Sequence, residues 1–342
     1  MKTMILNARG SSWRRSIRKA AILIAQGELV AFPTETVYGL GSDASNVKAV
    51  KRIFRVKGRP QDNPLIVHIW SISQISQLAK SVPAMFWTLA GNFMPGPLTV
   101  VLWKSELVPP IVTAGLRTVA VRMPDHRVAR ALLREAGVPI VAPSANLSGK
   151  PSPTTAEHVC EDLDGKIPAI LDGGRCKIGV ESTVLDITGS SPVILRPGGI
   201  PREEIERVLG RPVSVARHSQ RRPSSPGMKY KHYAPNADVI LFEGERKHVA
   251  NAMKVMAGRL QSRGQIVGVM GEQSFLRNLR SVIFYSLGRS GAGEAARRIF
   301  DGFRTLDRQS VDVILCQGFD EKEMGNAVMN RLRKAATRRI RV

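Results

Sequence analysis

Apolar positions recur along the chain in two periods, alternate residues in short runs and every third or fourth residue in longer ones, so strands and helices are expected to interleave. A helix capped by Ser11 or Ser12 and running to Gln26, with Gly27 as its stop, precedes a strand over 29–32. Residues 46–55 put Val47, Val50, Ile53 and Phe54 on one helical stripe, and a strand over 65–69 follows. Further strands are predicted at 98–103, 119–123, 139–142, 169–171, 183–187 and 193–195. That alternation over 1–212 predicts an α/β domain, a twisted open sheet with flanking helices.

Residues 213–235 break the pattern. They are basic from Arg217 to Arg222 and then rich in proline, serine and glycine, which reads as a linker. A second alternation over 236–342 follows: strands at 239–242, 266–270, 282–286 and 311–316, with helices at 247–263, 294–306 and 325–336. Its spacing predicts a smaller, doubly wound, Rossmann-like α/β domain. It carries neither a GxGxxG nor a GxxxxGK[ST] loop.

Composition narrows the function classes. With 43% hydrophobic and 23% charged residues the chain is globular, and its apolar runs are too short to span a bilayer. Three cysteines, widely spaced and without a CxxC, suggest neither a disulfide framework nor a zinc site, so the expectation is a cytoplasmic protein without a metal site of its own. A net charge of +23 points to polyanionic partners, nucleotide or nucleic acid. Part of that charge lies in Arg14 to Lys19 and in Arg331 to Arg341, both read as helix faces.

Five polar clusters sit where strands are expected to end, which is where α/β sheets bind ligands. The first, 33–41, holds Thr34, Glu35, Thr36 and two glycines, and reads alternatively as a polar turn. The second, 57–68, gathers Lys57, Arg59, Asn63 and His68; the two cations suit phosphates as point charge and bidentate fork, or form a solvated surface pair. His68 could equally be a hydrogen-bonded core histidine. In 142–155, Ser144, Asn146 and Ser152 offer hydroxyl and amide donors, with no histidine and aspartate set that would make Ser144 a nucleophile. Ser182 in 179–184 and Arg196 in 195–199 complete the set.

Taken together, Phe32 to Gly41, Lys57 to His68, Pro143 to Pro153, Glu181 to Asp186 and Arg196 to Gly198 resemble the signatures of the YrdC family of threonylcarbamoyl-AMP synthases in order and spacing. Residues 225–235 and 325–332 resemble its long, two-domain form. The resemblance implies a YrdC-like first domain and a nucleotidyltransferase that joins L-threonine, bicarbonate and ATP, for modification of the tRNA adenosine beside the anticodon. It implies ATP contacts from Arg59, Asn63, Thr118, Ser144, Ser152 and Arg196, with Lys57 and Asn146 close to the phosphates and Lys57, Arg59, Ser144 and Asn146 as catalytic residues. Threonine would be held by Thr34, Thr36, His68, Arg122 and Ser182, with Arg122 on its carboxylate. Magnesium is expected with ATP, partner proteins are expected to transfer the threonylcarbamoyl group, and contact with tRNA is possible. The linker is expected to close over the nucleotide through Tyr230 or Tyr233. A rival reading is a basic module that grips double-stranded RNA by shape and makes no adenylate.

Overall fold

The computed structural model describes residues 2–216, 232–274, 282–289 and 291–342. The chain forms two compact units, the first from residues 2–148, 152–177 and 181–216, the second from 149–151, 178–180 and the described residues of 232–342. Two short segments from within 1–212, at 149–151 and 178–180, thus group with the second unit. Residues 217–231 of the expected linker, Tyr230 among them, lie outside the described residues. Residues 214–215, expected to open that linker, instead form a strand of the first unit.

The first unit begins β1 (Met4–Asn7), α1 (Trp13–Ala25), β2 (Val30–Phe32), β3 (Gly39–Asp43), α2 (Val47–Lys57) and β4 (Ile66–His68). It continues with α3 (Ile75–Leu78), α4 (Ala84–Phe93), β5 (Leu98–Trp103), β6 (Thr118–Arg122), α5 (Arg127–Ala136) and β7 (Ile140–Val141). The last elements are α6 (Ala156–Leu163), β8 (Ala169–Asp172), β9 (Thr183–Asp186), β10 (Val193–Arg196), α7 (Arg202–Leu209) and β11 (Ser214–Val215). Local chemistry sets their ends: Asn46 caps α2 by accepting from the Ala49 amide, and Gly58, at φ 59°, stops it in the left-handed conformation.

These strands make one mixed sheet in the order β1-β8-β2-β3-β7-β4-β6-β5-β9-β10-β11. Alternation along each strand separates two faces. One carries Val67, Leu98, Val100, Val119, Val121 and Leu185, packed with residues of α2, α4, α6 and α7 such as Ile53, Phe86, Val159 and Ile205. On the opposite face, α1 and α5 cover β2, β7 and β8. The rest of that face, over β4, β5, β6, β9 and β10, is a small cluster of Ile66, Val101, Ala120, Val184 and Leu195 to which no helix contributes.

Strand β3 was hidden from sequence reading by its glycines. Residues expected to form a polar turn instead run on into a buried strand, paired with β2 and β7. The Phe32 ring lies across it: a Cβ at Gly41 would stand 2.7 Å from that ring and 2.9 Å from the Ile140 side chain.

The second unit has β12 (Asp238–Glu243), α8 (Arg246–Gln261), β13 (Val267–Gly271), β14 (Ile283–Ser286), α9 (Ala292–Arg308), β15 (Val313–Gln317), α10 (Met324–Ala335) and β16 (Arg338–Arg341). All strand pairs are parallel, in the order β14-β13-β15-β12-β16. From β12 the chain steps through α8 in one direction; after β14 it steps back through α9 and α10. Right-handed crossovers then put α8 on one face and α9 on the other, as observed, with α10 packed against α9. The basic run ending at Arg341 is not helical to its end, contrary to the sequence reading. Residues 338–341 form an edge strand, where arginines discourage further strand pairing, and Arg339 donates to Glu243 at 2.8 Å.

Gly41→Ala is expected to lower stability by about 1–3 kcal/mol through overpacking against Phe32 and Ile140. Thermal unfolding of the full chain measures this; a melting temperature equal to the parent's would refute the packing account of β3.

Candidate active site

Strand pairing brings the polar residues of the first unit to two ends of this helix-free part of the face. Parallel β4 and β6 set His68 beside Arg122 at their carboxyl ends, and antiparallel β5 sets Thr99 opposite Arg122. Strand β9 runs parallel to β5, so Ser182 stands just before its start in the same row. A bulge in β10 between Ile194 and Arg196 aims the Arg196 guanidinium at Ser182.

Charge is buried in this row. Arg122 Nη2 donates to Glu35 Oε1 at 2.6 Å, and both side chains are 5% exposed. Its Nε reaches the Gly96 carbonyl at 3.4 Å, while Glu35 Oε2 is buried without a hydrogen-bond partner. Glu35 arrives on a loop that Thr34 shapes: the Thr34 hydroxyl donates to the Val37 carbonyl at 2.7 Å and meets the Thr36 hydroxyl at 2.8 Å. The Ser182 and Thr99 hydroxyls meet at 2.7 Å, and Arg196 Nη2 donates to the Ser182 carbonyl at 2.9 Å and its hydroxyl at 3.2 Å. Ser152 joins the same end by donating to Glu181 at 2.5 Å.

His68 is 2% exposed and stands edge-on to the Phe32 ring at 6.2 Å. Its Nδ1 has no hydrogen-bond partner. Burial, with Arg122 adding to it, pushes its pKa down to about 3, so the ring is neutral at neutral pH. It is a neutral donor or acceptor turned toward the row, not a proton store for it.

The opposite strand ends hold the second group: Asn63 before β4, Thr118 opening β6 and Ser144 after β7. The solvated surface pair considered for Lys57 and Arg59 is not what forms, since they are 2% and 9% exposed. Lys57 donates to the Ser144 carbonyl at 2.5 Å and to the Asn146 carbonyl, holding the loop after β7. Burial first, then Arg59, drives its pKa well below the usual lysine range. Arg59 donates to the Asn63 carbonyl at 3.2 Å and the Pro64 carbonyl at 3.1 Å, and Asn63 Oδ1 is buried without a partner. Four residue steps along β6 separate Thr118 from Arg122, about 13 Å. The apolar floor of Ile66, Ala120, Val184 and Leu195 lies between them.

Sequence reasoning missed Thr99 and Glu181, and did not pair Glu35 with Arg122. Thr99 had left a trace, as a hydroxyl inside an otherwise apolar run. Tyr233 belongs to the second unit, where its buried ring, at φ 66°, lies 5.3 Å from Phe300 and 5.4 Å from the Arg331 guanidinium carbon. Among the described residues no three histidine, cysteine or acidic side chains are grouped to hold a metal, and no helix is long and apolar enough to cross a membrane.

A sheet face free of helices, with a buried apolar floor and arginines and hydroxyls at its ends, has the chemistry of a small-molecule site for anionic ligands. A family model described as telomere recombination, the Sua5/YciO/YrdC domain, matches residues 22–198, and one described as threonylcarbamoyl-AMP synthase, C-terminal domain, matches 200–337. The threonylcarbamoyl-AMP synthase of Pyrococcus abyssi is 52% identical over 341 residues, covering 99% of both chains. That of Bacillus subtilis is 49% identical over 329 residues, covering 95% of this chain and 94% of its own. The crystal structure of Pyrococcus abyssi Sua5 complexed with L-threonine matches with a TM-score of 0.95 and 51% identity, covering 99% of this chain and 100% of that one. The chain belongs to the Sua5/YciO/YrdC family, in the form that carries the threonylcarbamoyl-AMP synthase C-terminal domain.

A histidine held neutral by burial supplies stability that is complete above its unfolded pKa, near 6.5, and is lost as pH falls from there toward about 3. Replacing His68 with glutamine removes that pH dependence. Urea midpoints at pH 7, 5.5 and 4.5 are expected to converge for parent and variant as pH falls; a constant gap would contradict the buried neutral ring.

Proposed function

We propose that the chain makes L-threonylcarbamoyl-AMP, the product that its relatives' names state for those proteins, from L-threonine, bicarbonate or carbon dioxide, and ATP, releasing pyrophosphate. One observation carries this reading: the buried row of Arg122, Glu35, His68, Thr99, Ser182 and Arg196, continuous with an apolar floor that leads to Arg59 and Asn63. Arg122 Nη1 takes the threonine carboxylate, while Glu35 Oε2 accepts from its amine. Thr36, Ser182 and His68 answer the threonine hydroxyl, with Thr34 setting their loop. ATP lies along the floor, with Thr118, Arg59, Asn63 and Ser144 at one end and Ser152 and Arg196 at the other, where the two substrates meet. Lys57 and Asn146 shape the loop beside it.

In the chemical sequence, the threonine amine attacks the carbon of carbon dioxide, or of bicarbonate with loss of water, and gives up a proton. A carbamate oxygen then attacks the α-phosphorus as the bond to pyrophosphate breaks. The protein's contribution is to hold two anions in contact and oppose their charge in a desolvated place. With no carboxylate cluster among the described residues to hold it, magnesium enters on ATP as part of the substrate. A linker tyrosine, Tyr230 or Tyr233, meets the nucleotide in this reading, partner proteins carry the threonylcarbamoyl group to tRNA, and the chain works in the cytoplasm.

Incubation with labelled threonine, bicarbonate and MgATP is expected to yield threonylcarbamoyl-AMP and pyrophosphate, at least tenfold less with Arg59→Ala. Valine should support far less pyrophosphate release, because its methyl leaves the buried hydroxyl partners unpaired. Parent-like turnover in the variant removes Arg59 from the phosphate site, and absence of the adduct in the parent overturns the proposal.

A further inference from the structure

Helices α1 and α5 lie side by side on the first unit, and a groove of about 480 Å³ opens between them. Arg14 and Arg18 line it from α1, Arg127, Arg130 and Arg134 from α5, with Trp13 between them. The Arg127 guanidinium carbon stands 4.0 Å from the Trp13 ring centre and that of Arg14 5.8 Å. Glu135 is the single carboxylate of the lining, and it meets Arg18 at 3.6 Å. No side-chain hydrogen bond or ion pair to a described residue engages Arg14, Arg127, Arg130 or Arg134. Helix α1 contains no acidic residue at all.

Repulsion among these arginines works against folding. Like charges three and four residues apart on a helix repel, and the two rows face each other across the groove. Successive arginines in each row stand about one helical turn apart, about 5–6 Å along the axis, on a scale that meets successive charges of a polyphosphate. Every cation lining the groove is an arginine, whose planar fork matches phosphate oxygens in a way an ammonium does not. A flat lipid surface would not enter a cleft between two helices. The stacked Trp13 holds Arg127 in place, so part of the ordering cost is met before a ligand arrives.

We propose that the α1–α5 groove binds the phosphate backbone of RNA, at a place distinct from the helix-free sheet face proposed to hold the substrates. Preference for a polyphosphate follows from the groove alone; the choice of RNA rests on the proposed function, in which a tRNA receives the product's acyl group.

The test uses the full chain and fluorescent unmodified tRNA, with anisotropy titrations at several potassium chloride concentrations. The triple variant Arg14→Glu, Arg130→Glu, Arg134→Glu is expected to lose affinity at least tenfold at low salt. The slope of log affinity against log salt should fall by about three, one for each phosphate contact removed. Lys254→Glu, Arg259→Glu, Arg263→Glu, equal in charge change but on exposed positions of α8 and its end, should bind within threefold of the parent. A milder triple glutamine variant at the groove should move the same way, and threonylcarbamoyl-AMP synthesis should stay at the parent's rate in all three. Equal losses in the groove and control variants would overturn the proposal, as would poly-L-glutamate or phosphatidylserine vesicles competing as well as unlabelled tRNA. If the chain makes the adduct while groove variants bind tRNA normally, the groove assignment fails alone. If it makes no adduct yet loses tRNA binding in the groove variants, the proposed function fails and the polyphosphate site stands.

Discussion

A guanidinium buried on a sheet face must be paired or it unfolds the protein around it, and the first unit is organised by meeting that demand at Arg122. Removing one member of such a pair costs about 3–5 kcal/mol. Its partner Glu35 comes from a loop 87 residues earlier, so that loop must turn tightly and lie down over the sheet. Thr34 makes the turn, and glycines at 39 and 41 let the Phe32 ring cross β3 toward His68. His68, Thr99 and Ser182 then share a desolvated row in which every polar atom is placed before a substrate arrives. Two such atoms, Glu35 Oε2 and His68 Nδ1, have no protein partner. Buried polar atoms of that kind are rare in folded proteins, and a ligand that supplies their missing bonds explains why they are kept.

Much of the fold could be read from periodicity, because strands such as 98–103 and 183–186 are apolar enough to name themselves. What could not be read has identifiable causes. Strand β3 offers glycine and serine where a strand pattern needs large apolar side chains, and its burial depends on a phenylalanine from its neighbour. Lys57 looked like a surface cation because its partners are backbone carbonyls 87 and 89 residues further on, and carbonyls leave no mark in a sequence. The arginines of 338–341 carry too little apolar pattern to distinguish an edge strand from the end of a helix. Candidate site residues were legible as clusters at strand ends, but which of them meet was decided by register: β4, β5, β6, β9 and β10 bring His68, Thr99, Arg122, Ser182 and Arg196 into one row.

The two halves of this side of the sheet divide the work. Where α1 and α5 pack, side chains from helix and sheet close a core and leave arginines on the solvent side. Where no helix of the unit packs, Ile66, Ala120, Val184 and Leu195 stay as a floor between two polar ends about 13 Å apart, a length suited to a nucleotide. An apolar floor favours a base or ribose, and buried cations at either end favour phosphates and carboxylates. The arrangement provides positioning and charge opposition without an evident acid–base pair, in keeping with chemistry in which two anionic reactants must be brought together.

The central claim is that Arg122, held by Glu35, receives the carboxylate of the amino acid substrate. Calorimetric titration of the unmodified protein with L-threonine and with L-threoninamide, which keeps the hydroxyl and amine but removes the negative charge, tests it without disturbing the buried pair. The account predicts that L-threonine binds at least tenfold more tightly, since a charge-assisted bond contributes about 1.5–3 kcal/mol. Equal affinity for the two ligands would contradict it.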